Sequence, residues 1–319
     1  MTASVEAAGP CSVHSSAPRW ELLRALGSLS EIGPPSSRPV SAALGLEEWS
    51  PAEHTRLFVL DLPPYSSIYL GPEGKLGGEG ADRVAGFWRA LGLEVPVGSD
   101  HLACLLSLYA ELGHAAQTSR RPETRRRLDH ARTALLGEHL LPWLPSYLTA
   151  AACYQAGSRW ARLTLSAFEQ EVELTSLPFE MLPAALRDAG PPIDESIGYG
   201  ELLDALTAPV RVGFILTASD LEHAGRETGV GVRRGERRFT LDAMLGQDPA
   251  GVLSWLARHA RRWACLHAEC SSGSAARWWQ ERAGATASVL DRLGRAVPRG
   301  SADLDRRQVI GEQGDGPLQ

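Results

Sequence analysis

The chain has 319 residues, a hydrophobic content of 44% and a formal net charge of −6 at pH 7. This length suffices for one large domain or two modest ones, and the composition can supply a sizeable hydrophobic core. The mildly acidic balance argues against generic nucleic-acid binding. Five scattered cysteines, an odd number in a chain too large to need disulfide staples, are typical of a reducing compartment and predict a cytoplasmic protein.

Residues 1–16 hold no basic segment followed by an apolar run, so they are predicted to be a disordered leader and not a signal peptide. Further on, residues 140–157 carry no charge over about the length that spans a bilayer. Prolines 142 and 145 interrupt this stretch, which favours two packed helices over a membrane span.

Helical periodicity dominates the chain. Ser50 and Glu53 form a predicted capping box that opens a short helix, and Pro63 and Pro64 end it. A second helix is predicted over 79–91, before Gly92.

From Leu102 to Leu112 apolar residues recur at three- and four-residue steps, which predicts a helix that buries one stripe and has Ser99 and Asp100 at its N-terminus. The same periodicity returns over 128–139 and 160–174.

Prolines and glycines thin out the periodicity over 187–209, which we interpret as a linker. Beyond it, residues 210–216 are predicted to be extended chain, and Gly246, Asp248 and Pro249 predict the meeting point of two helices in an αα-hairpin. Residues 210–296 are therefore predicted to be a C-terminal helical extension, followed by a flexible tail over 297–319.

Two patterns suggest chemistry that their spacing does not support. The loop Gly71–Gly78 resembles a phosphate loop, but only two residues separate Gly71 from Gly74, and Leu76 follows Lys75 where a Ser or Thr would be needed. His259, Cys265, His267 and Cys270 resemble a metal site. At about 1.5 Å per residue the two histidines lie on the order of 12 Å apart along a helix, so packing is the better interpretation and no metal is predicted.

Catalytic signatures with local spacing, such as GxSxG, HExxH or CxxC, do not occur in the sequence. The chain is therefore predicted to be a binding protein, with no catalytic residues and no cofactor.

Residues 47–111 contain ten acidic residues and four basic ones, so the acidic excess of the whole chain is concentrated there. Within this region the pair Asp100-His101 has two interpretations that the sequence does not separate. Asp100 could stabilise the positive end of the following helix. Alternatively, Asp100 could accept hydrogen bonds from a cationic guest while His101 tunes the protonation of the site.

At these residues the chain resembles the TorD/DmsD family of cytoplasmic chaperones for molybdenum-containing redox enzymes. The resemblance covers roughly residues 20–174: PPYSSIY is similar to the family's Pro-Pro-aromatic loop, Asp100-His101 to its Asp-His step, and EHLLPWLPSYL to a later helix. It implies an all-α, TorD-like helical bundle over 17–186, here with the additional C-terminal helical region. The turn PVGSDH departs from the family pattern because it lacks a glutamate and a proline.

The resemblance also implies that Pro64, Tyr65, Asp100 and His101 bind a client's twin-arginine signal peptide. Such a peptide combines two guanidinium groups with an apolar stretch, so its receptor needs carboxylates beside an aromatic groove. We therefore expect Tyr69 and Trp88 to contact the apolar part, and acids such as Glu79 or Asp82 to assist Asp100.

The sequence thus predicts a maturation chaperone that binds the signal peptide and the apo form of a molybdopterin-dependent oxidoreductase. Two alternatives stay open: a GTP-binding protein or enzyme that uses the Gly71–Gly78 loop, and a structural assembly subunit of a redox complex.

Overall fold

The structure, a computed structural model, describes residues 19–175, 177, 182–270 and 273–297. Within these ranges the chain forms helices joined by turns and irregular segments, with one isolated β-bridge and no strand. The all-α prediction is therefore confirmed. The predicted leader and, beyond Val297, the predicted tail lie outside the described residues.

The region up to residue 175 contains the helices predicted from periodicity, together with several shorter ones. The helix predicted over 79–91 is found almost unchanged, and the helix predicted over 128–139 continues into a π-helical segment. The helices are α1 (Arg19–Ser28), α2 (Arg38–Ala43), α3 (Pro51–Thr55) with its π-helical continuation (Arg56–Asp61), α4 (Ser66–Leu70), α5 (Gly78–Ala90), α6 (Leu102–Thr118), α7 (Pro122–Ala134) with its π-helical continuation (Leu135–Leu140), α8 (Leu144–Ala152) and α9 (Ser158–Thr175).

The second half of the chain is also helical, and its last two helices are its longest. The two helices predicted to meet at Gly246, Asp248 and Pro249 are Arg237–Leu245 and Pro249–Cys270, and the second of these also packs along Ser274–Ala296. The helices are α10 (Ala184–Arg187), α11 (Tyr199–Thr207), α12 (Pro209–Val212), α13 (Ala218–Thr228), α14 (Arg237–Leu245), α15 (Pro249–Cys270) and α16 (Ser274–Ala296).

Side-chain caps define where several helices begin. The Ser50 hydroxyl accepts a hydrogen bond from the Glu53 amide (3.2 Å), and the Glu53 carboxylate accepts one from the Ser50 amide (2.8 Å), which confirms the predicted capping box. Thr217 and Asp220 form a second capping box at the start of α13. The start of α13 lies beside the π-helical continuation of α3, because the Ser219 amide and hydroxyl both donate to Asp61.

Helix α6 is the centre of the first half of the molecule and packs against α1 and α7. Tyr109 is fully buried on it and donates a hydrogen bond to the buried carboxylate of Glu171 (2.9 Å). Beside it, the indole of Trp160 donates to the Leu26 carbonyl (2.9 Å) and the hydroxyl of Tyr147 donates to the Leu62 carbonyl (3.1 Å). The buried polar atoms of these three aromatic residues are thus satisfied by groups on neighbouring elements.

One hydrophobic cluster runs from α1 through α16 and includes residues on both sides of the predicted linker. Within that linker, α11 buries Leu202, Leu203 and Leu206. The segment predicted as extended chain begins with the single turn α12 and continues as buried, irregular backbone through Leu216. The division into domains stays a prediction.

No described helix combines the length and the apolar character that crossing a bilayer requires.

Candidate functional site

Backbone hydrogen bonds join the Pro-Pro-Tyr loop to the turn before α6. The Leu102 amide donates to the Pro64 carbonyl (2.8 Å), and the Ser66 amide donates to the Asp100 carbonyl (3.0 Å). Tyr65 and His101 therefore face each other as an isolated antiparallel bridge. Two segments that are far apart in the sequence form one rigid surface element.

Asp100 holds this element together from inside. Its side chain is 3% exposed, and its Oδ2 accepts a hydrogen bond from the Ser67 amide (3.0 Å) at the start of α4. Helix α6 itself begins one residue later than the sequence suggests, because the cap is His101, whose Nδ1 accepts from the Ala103 amide (3.1 Å). The Asp100 carboxylate thus binds the N-terminus of α4 and not that of α6.

The aromatic rings of Tyr65 and His101 are in edge-to-face contact, with centroids 4.7 Å apart. Tyr65 is half-buried, so part of its ring faces solvent. Gly98 shapes the turn beside them: its φ of +67° is one that L side chains rarely adopt, and its carbonyl accepts from the His101 amide (2.8 Å). The PVGSDH turn lacks the glutamate and proline of the family pattern, and its glycine can adopt this positive φ.

The protonation of this site follows from burial. Burial lowers the pKa of His101 below its usual value, and the negative charges of Glu31 and Asp100 oppose that shift. His101 is therefore neutral near pH 7, and since Nδ1 accepts a hydrogen bond, the proton resides on Nε2. Burial likewise raises the pKa of Tyr65, with further contributions from Asp100 and Glu31. Among the described residues, the charges that act on Tyr65 and His101 are negative, which favours a cationic ligand.

Glu31 and Cys104 belong to this site, although the sequence did not indicate them. Burial raises the pKa of the Cys104 thiol, and the charges of Glu31 and Asp100 add to that shift. Glu31 is exposed and has no ion pair among the described residues. Glu31 follows α1 in the sequence, and no local pattern relates it to the Tyr65 loop more than thirty residues away. Predicting its position would have required knowing that the end of α1 packs near α6.

The turn beside the Tyr65 and His101 rings also presents apolar surface. Val97 is fully exposed and Leu93 is 43% exposed, while Ile32, next to Glu31, is 41% exposed. Single exposed apolar side chains are common, and of these three only Val97 directly precedes Gly98 in the turn beside the bridge.

Pro64, Tyr69 and Trp88 are the other residues that the sequence predicts for this site. Pro64 is buried, and it serves the bridge through its carbonyl. Tyr69 is 2% exposed, stacks on Trp143 with centroids 5.3 Å apart and donates to the Pro63 carbonyl (2.9 Å), so it faces the core. Trp88 is half-buried against the same core on α5. The structure therefore brings together Pro64, Tyr65, Asp100 and His101, whereas Tyr69 and Trp88 contribute to packing.

The acids considered as helpers are exposed on α5. Glu79 lies within 3.2 Å of Arg83 in an ion pair, and Asp82 is exposed without an ion pair among the described residues. Neither perturbs the pKa values of Tyr65 or His101, in contrast to Glu31.

The glycine loop before α5 uses its amides internally. The amides of Gly71 and Gly77 donate to the carbonyl and hydroxyl of Ser67, and the Gly74 amide donates to the Gly71 carbonyl. Gly74 also lies against the backbone of residues 207 and 208. A phosphate cradle needs such amides free to point at the ligand, so this loop packs as a turn.

The histidines in α15 are bound to backbone carbonyls. The Nε2 of His259 lies 3.1 Å from the Ile215 carbonyl, and that of His267 lies 2.9 Å from the Gly213 carbonyl. Among the described residues no group of three or more His, Cys, Asp or Glu side chains could hold a metal ion.

Comparison with known proteins shows what the segment around this site is similar to. The family model described as "Nitrate reductase delta subunit" matches residues 29–149. Two relatives from Vibrio vulnificus, strains YJ016 and CMCP6, each named "Chaperone protein TorD", are 36% identical to this chain over 98 residues. Each alignment covers 28% of this chain and 44% of the relative, so the chain spans less than half the length of the curated relatives it matches.

Residues 29–149 are thus similar to the TorD/DmsD family. The bridged site lies inside the TorD-like segment, since Glu31, Tyr65, Asp100 and His101 all fall within residues 29–149. The resemblance inferred from the PPYSSIY loop and the Asp-His step is thereby confirmed. Helices α10 to α16 lie beyond the matched segment.

Proposed function

We propose that this protein is a cytoplasmic maturation chaperone that binds the signal peptide and the apo form of a molybdenum-cofactor oxidoreductase before export or assembly. Its role is binding without chemical turnover. The observation that carries the proposal is the backbone bridge between Tyr65 and His101, which holds the two family motifs in one partly exposed element. The chaperone name of the TorD relatives supports it.

The chemistry of the site matches a twin-arginine peptide. Glu31 supplies an exposed carboxylate for a guanidinium group, and the partly exposed ring of Tyr65 offers a cation-π surface. The apolar side chains of Val97, Leu93 and Ile32 would contact the hydrophobic stretch that follows the arginines.

Asp100 has a different role in this proposal from the one the sequence suggested. Because its carboxylate is buried and bound to the Ser67 amide, it positions the loop that presents Tyr65. The exposed acid Glu31 then contacts the peptide in its place.

The test uses a fluorescein-labelled synthetic peptide in which two adjacent arginines precede an apolar stretch, with binding measured by anisotropy. Tyr65→Ala should weaken binding about tenfold, since a central aromatic anchor contributes on the order of 1–2 kcal/mol. Glu31→Gln should weaken it about threefold, because an exposed ion pair contributes less than about 1 kcal/mol, and added salt should remove that difference.

Two controls make the result specific. Tyr199→Ala truncates another half-buried tyrosine, on α11 outside the TorD-like segment, and should leave binding unchanged. A control peptide with two glutamines in place of the arginines should bind the parent more weakly than the arginine peptide does. This control peptide should bind Glu31→Gln with the same affinity as the parent. If Tyr65→Ala and Glu31→Gln both bind like the parent, the site is wrong.

Calorimetry with GTP and magnesium separates the nucleotide alternative. We expect no binding, because the amides of Gly71, Gly74 and Gly77 are already hydrogen-bonded inside the protein. Tight GTP binding that Lys75→Ala abolishes, in a protein without peptide affinity, would favour the alternative.

A further inference from the structure

A groove of about 590 Å³ lies between the TorD-like segment and the helices that follow it. One wall is formed by α3 and its π-helical continuation, which contribute Arg56, Leu60 and Asp61. The other wall is formed by α13, by α14 and by the loop between them. The groove thus combines a surface of the family segment with a surface that lies outside it.

Basic side chains exceed acidic ones in this groove. Two carboxylates, those of Asp61 and Glu222, line it, and both are engaged by Arg56, at 3.5 Å each. Asp61 in addition accepts hydrogen bonds from the amide and hydroxyl of Ser219. The groove's own acids are therefore already engaged by contacts inside the protein, and four arginines against two carboxylates leave an excess of positive charge.

Three further arginines line the groove without a carboxylate partner among the described residues: Arg233, Arg234 and Arg237. Arg233 and Arg234 are exposed on the loop before α14. Arg237 is partly buried, and its Nη1 donates to the Leu216 carbonyl (2.9 Å). Burial lowers the pKa of Arg237, and the charges of Glu236 and Asp61 oppose that shift without forming an ion pair with it.

The rim of the same groove is apolar. Leu60 lines it and is 66% exposed, and its neighbour Val59 is 60% exposed. Opposite them, Phe239 is 50% exposed and lies next to Gly235, which lines the groove. Exposed aromatic and aliphatic side chains beside unpaired arginines are typical of a protein interface.

From this combination we infer that the groove binds an acidic, apolar segment of a partner polypeptide. Its carboxylates pair with Arg233, Arg234 and Arg237, and its apolar side chains pack on Leu60 and Phe239. Three guanidinium groups without an ion pair among the described residues favour an anionic partner. The apolar rim favours a polypeptide over a nucleic-acid backbone, which offers phosphates but no aliphatic side chains.

This surface differs in sign from the site around Tyr65 and Glu31, so the two select opposite ligands. A peptide with paired arginines would be repelled by the groove, and an acidic segment would be repelled by Glu31. The inference therefore stands independently of the signal-peptide proposal, and it assigns a recognition function to the helices beyond the family segment.

The experiment measures binding of a short fluorescein-labelled peptide in which glutamate alternates with leucine, using the full chain. The double variant Arg233→Glu/Arg234→Glu should bind this peptide at least about tenfold more weakly than the parent, because two attractive charges become repulsive. Leu60→Ser should weaken binding by about threefold, and its effect should persist at high salt.

The matched control is Arg126→Glu/Arg127→Glu, which reverses two exposed arginines on α7 that do not line the groove. It changes the net charge equally and should leave binding unchanged. Melting followed by far-UV circular dichroism verifies that each variant is folded.

Three results would overturn the inference. The first is equal weakening by the groove and control reversals, which would indicate a general charge effect. The second is equal affinity for the same peptide with glutamine in place of glutamate. The third is tighter binding of a single-stranded oligonucleotide than of the acidic peptide. None of these results depends on whether the arginine peptide binds at Tyr65.

Discussion

Replacing Asp100 with alanine should destabilise the protein by about 2–3 kcal/mol and should lower peptide affinity only through that loss. The side chain is 3% exposed, and its Oδ2 accepts the Ser67 amide proton at the start of α4. Ser67 is itself fully buried, so water cannot replace the lost acceptor. The variant therefore leaves a buried backbone donor unsatisfied.

The magnitude follows from the type of hydrogen bond. A hydrogen bond to a charged acceptor contributes about 1.5–3 kcal/mol, and an unsatisfied buried donor costs about 1–3 kcal/mol. Asp100→Asn keeps an oxygen acceptor in the same position and removes only the charge. It should therefore cost about 1 kcal/mol, less than half the effect of alanine.

Urea unfolding followed by circular dichroism measures both variants against the parent. Asp100→Ala should lower the midpoint by about 1 M at an unchanged slope, and Asp100→Asn by a fraction of that. The affinity of Asp100→Asn for the arginine peptide should stay within about twofold of the parent. Loss of a direct contact worth about 1.4 kcal/mol would instead weaken binding tenfold. A tenfold loss of affinity in Asp100→Asn with an unchanged midpoint would refute the positioning role and would return Asp100 to the peptide contact.

Two further predictions concern stability. Burial lowers the pKa of His139 and His267 to about 4, so both are neutral when folded and bind protons more readily when unfolded. Stability should be highest above pH 6.5 and should decrease as the pH falls toward 4; a constant urea midpoint over that range would contradict this. Gly74→Ala should cost more stability than Gly229→Ala. Both glycines have a positive φ, which costs a residue with a side chain about 1–2 kcal/mol, but a Cβ at position 74 would also overlap the Thr207 carbonyl, whereas position 229 faces open space. Equal melting temperatures would contradict that contact.

Local patterns in the sequence predicted much of the helical structure. The Ser50 capping box, the helix that ends before Gly92 and the start of α15 at Pro249 all depend on residues a few positions apart. The start of α6 was predicted one residue too early, because Asp100 has the side chain of a good cap but binds Ser67. Competition between two helix N-termini for one carboxylate cannot be read from either segment alone.

The site was predicted in part. The motif resemblance related Tyr65 to His101, and the bridge between them brings these residues together. Tyr69 and Trp88 were expected at the same surface because they are aromatic and close in sequence. Tyr69 lies one helical turn after the buried Ser66 on α4. It therefore shares the buried face of this helix and packs on Trp143 in the core.

The sequence by itself determined the helical class of the chain, the resemblance of residues 29–149 to TorD chaperones and the two motifs of the candidate site, because these depend on local spacing and composition. Only the tertiary structure decided that Asp100 is buried, that Glu31 is the exposed acid beside Tyr65, and that Arg237 faces a groove without a carboxylate partner among the described residues. Burial and charge pairing arise from contacts between residues that are far apart in the sequence, such as Arg56 and Glu222, and no local pattern encodes such contacts.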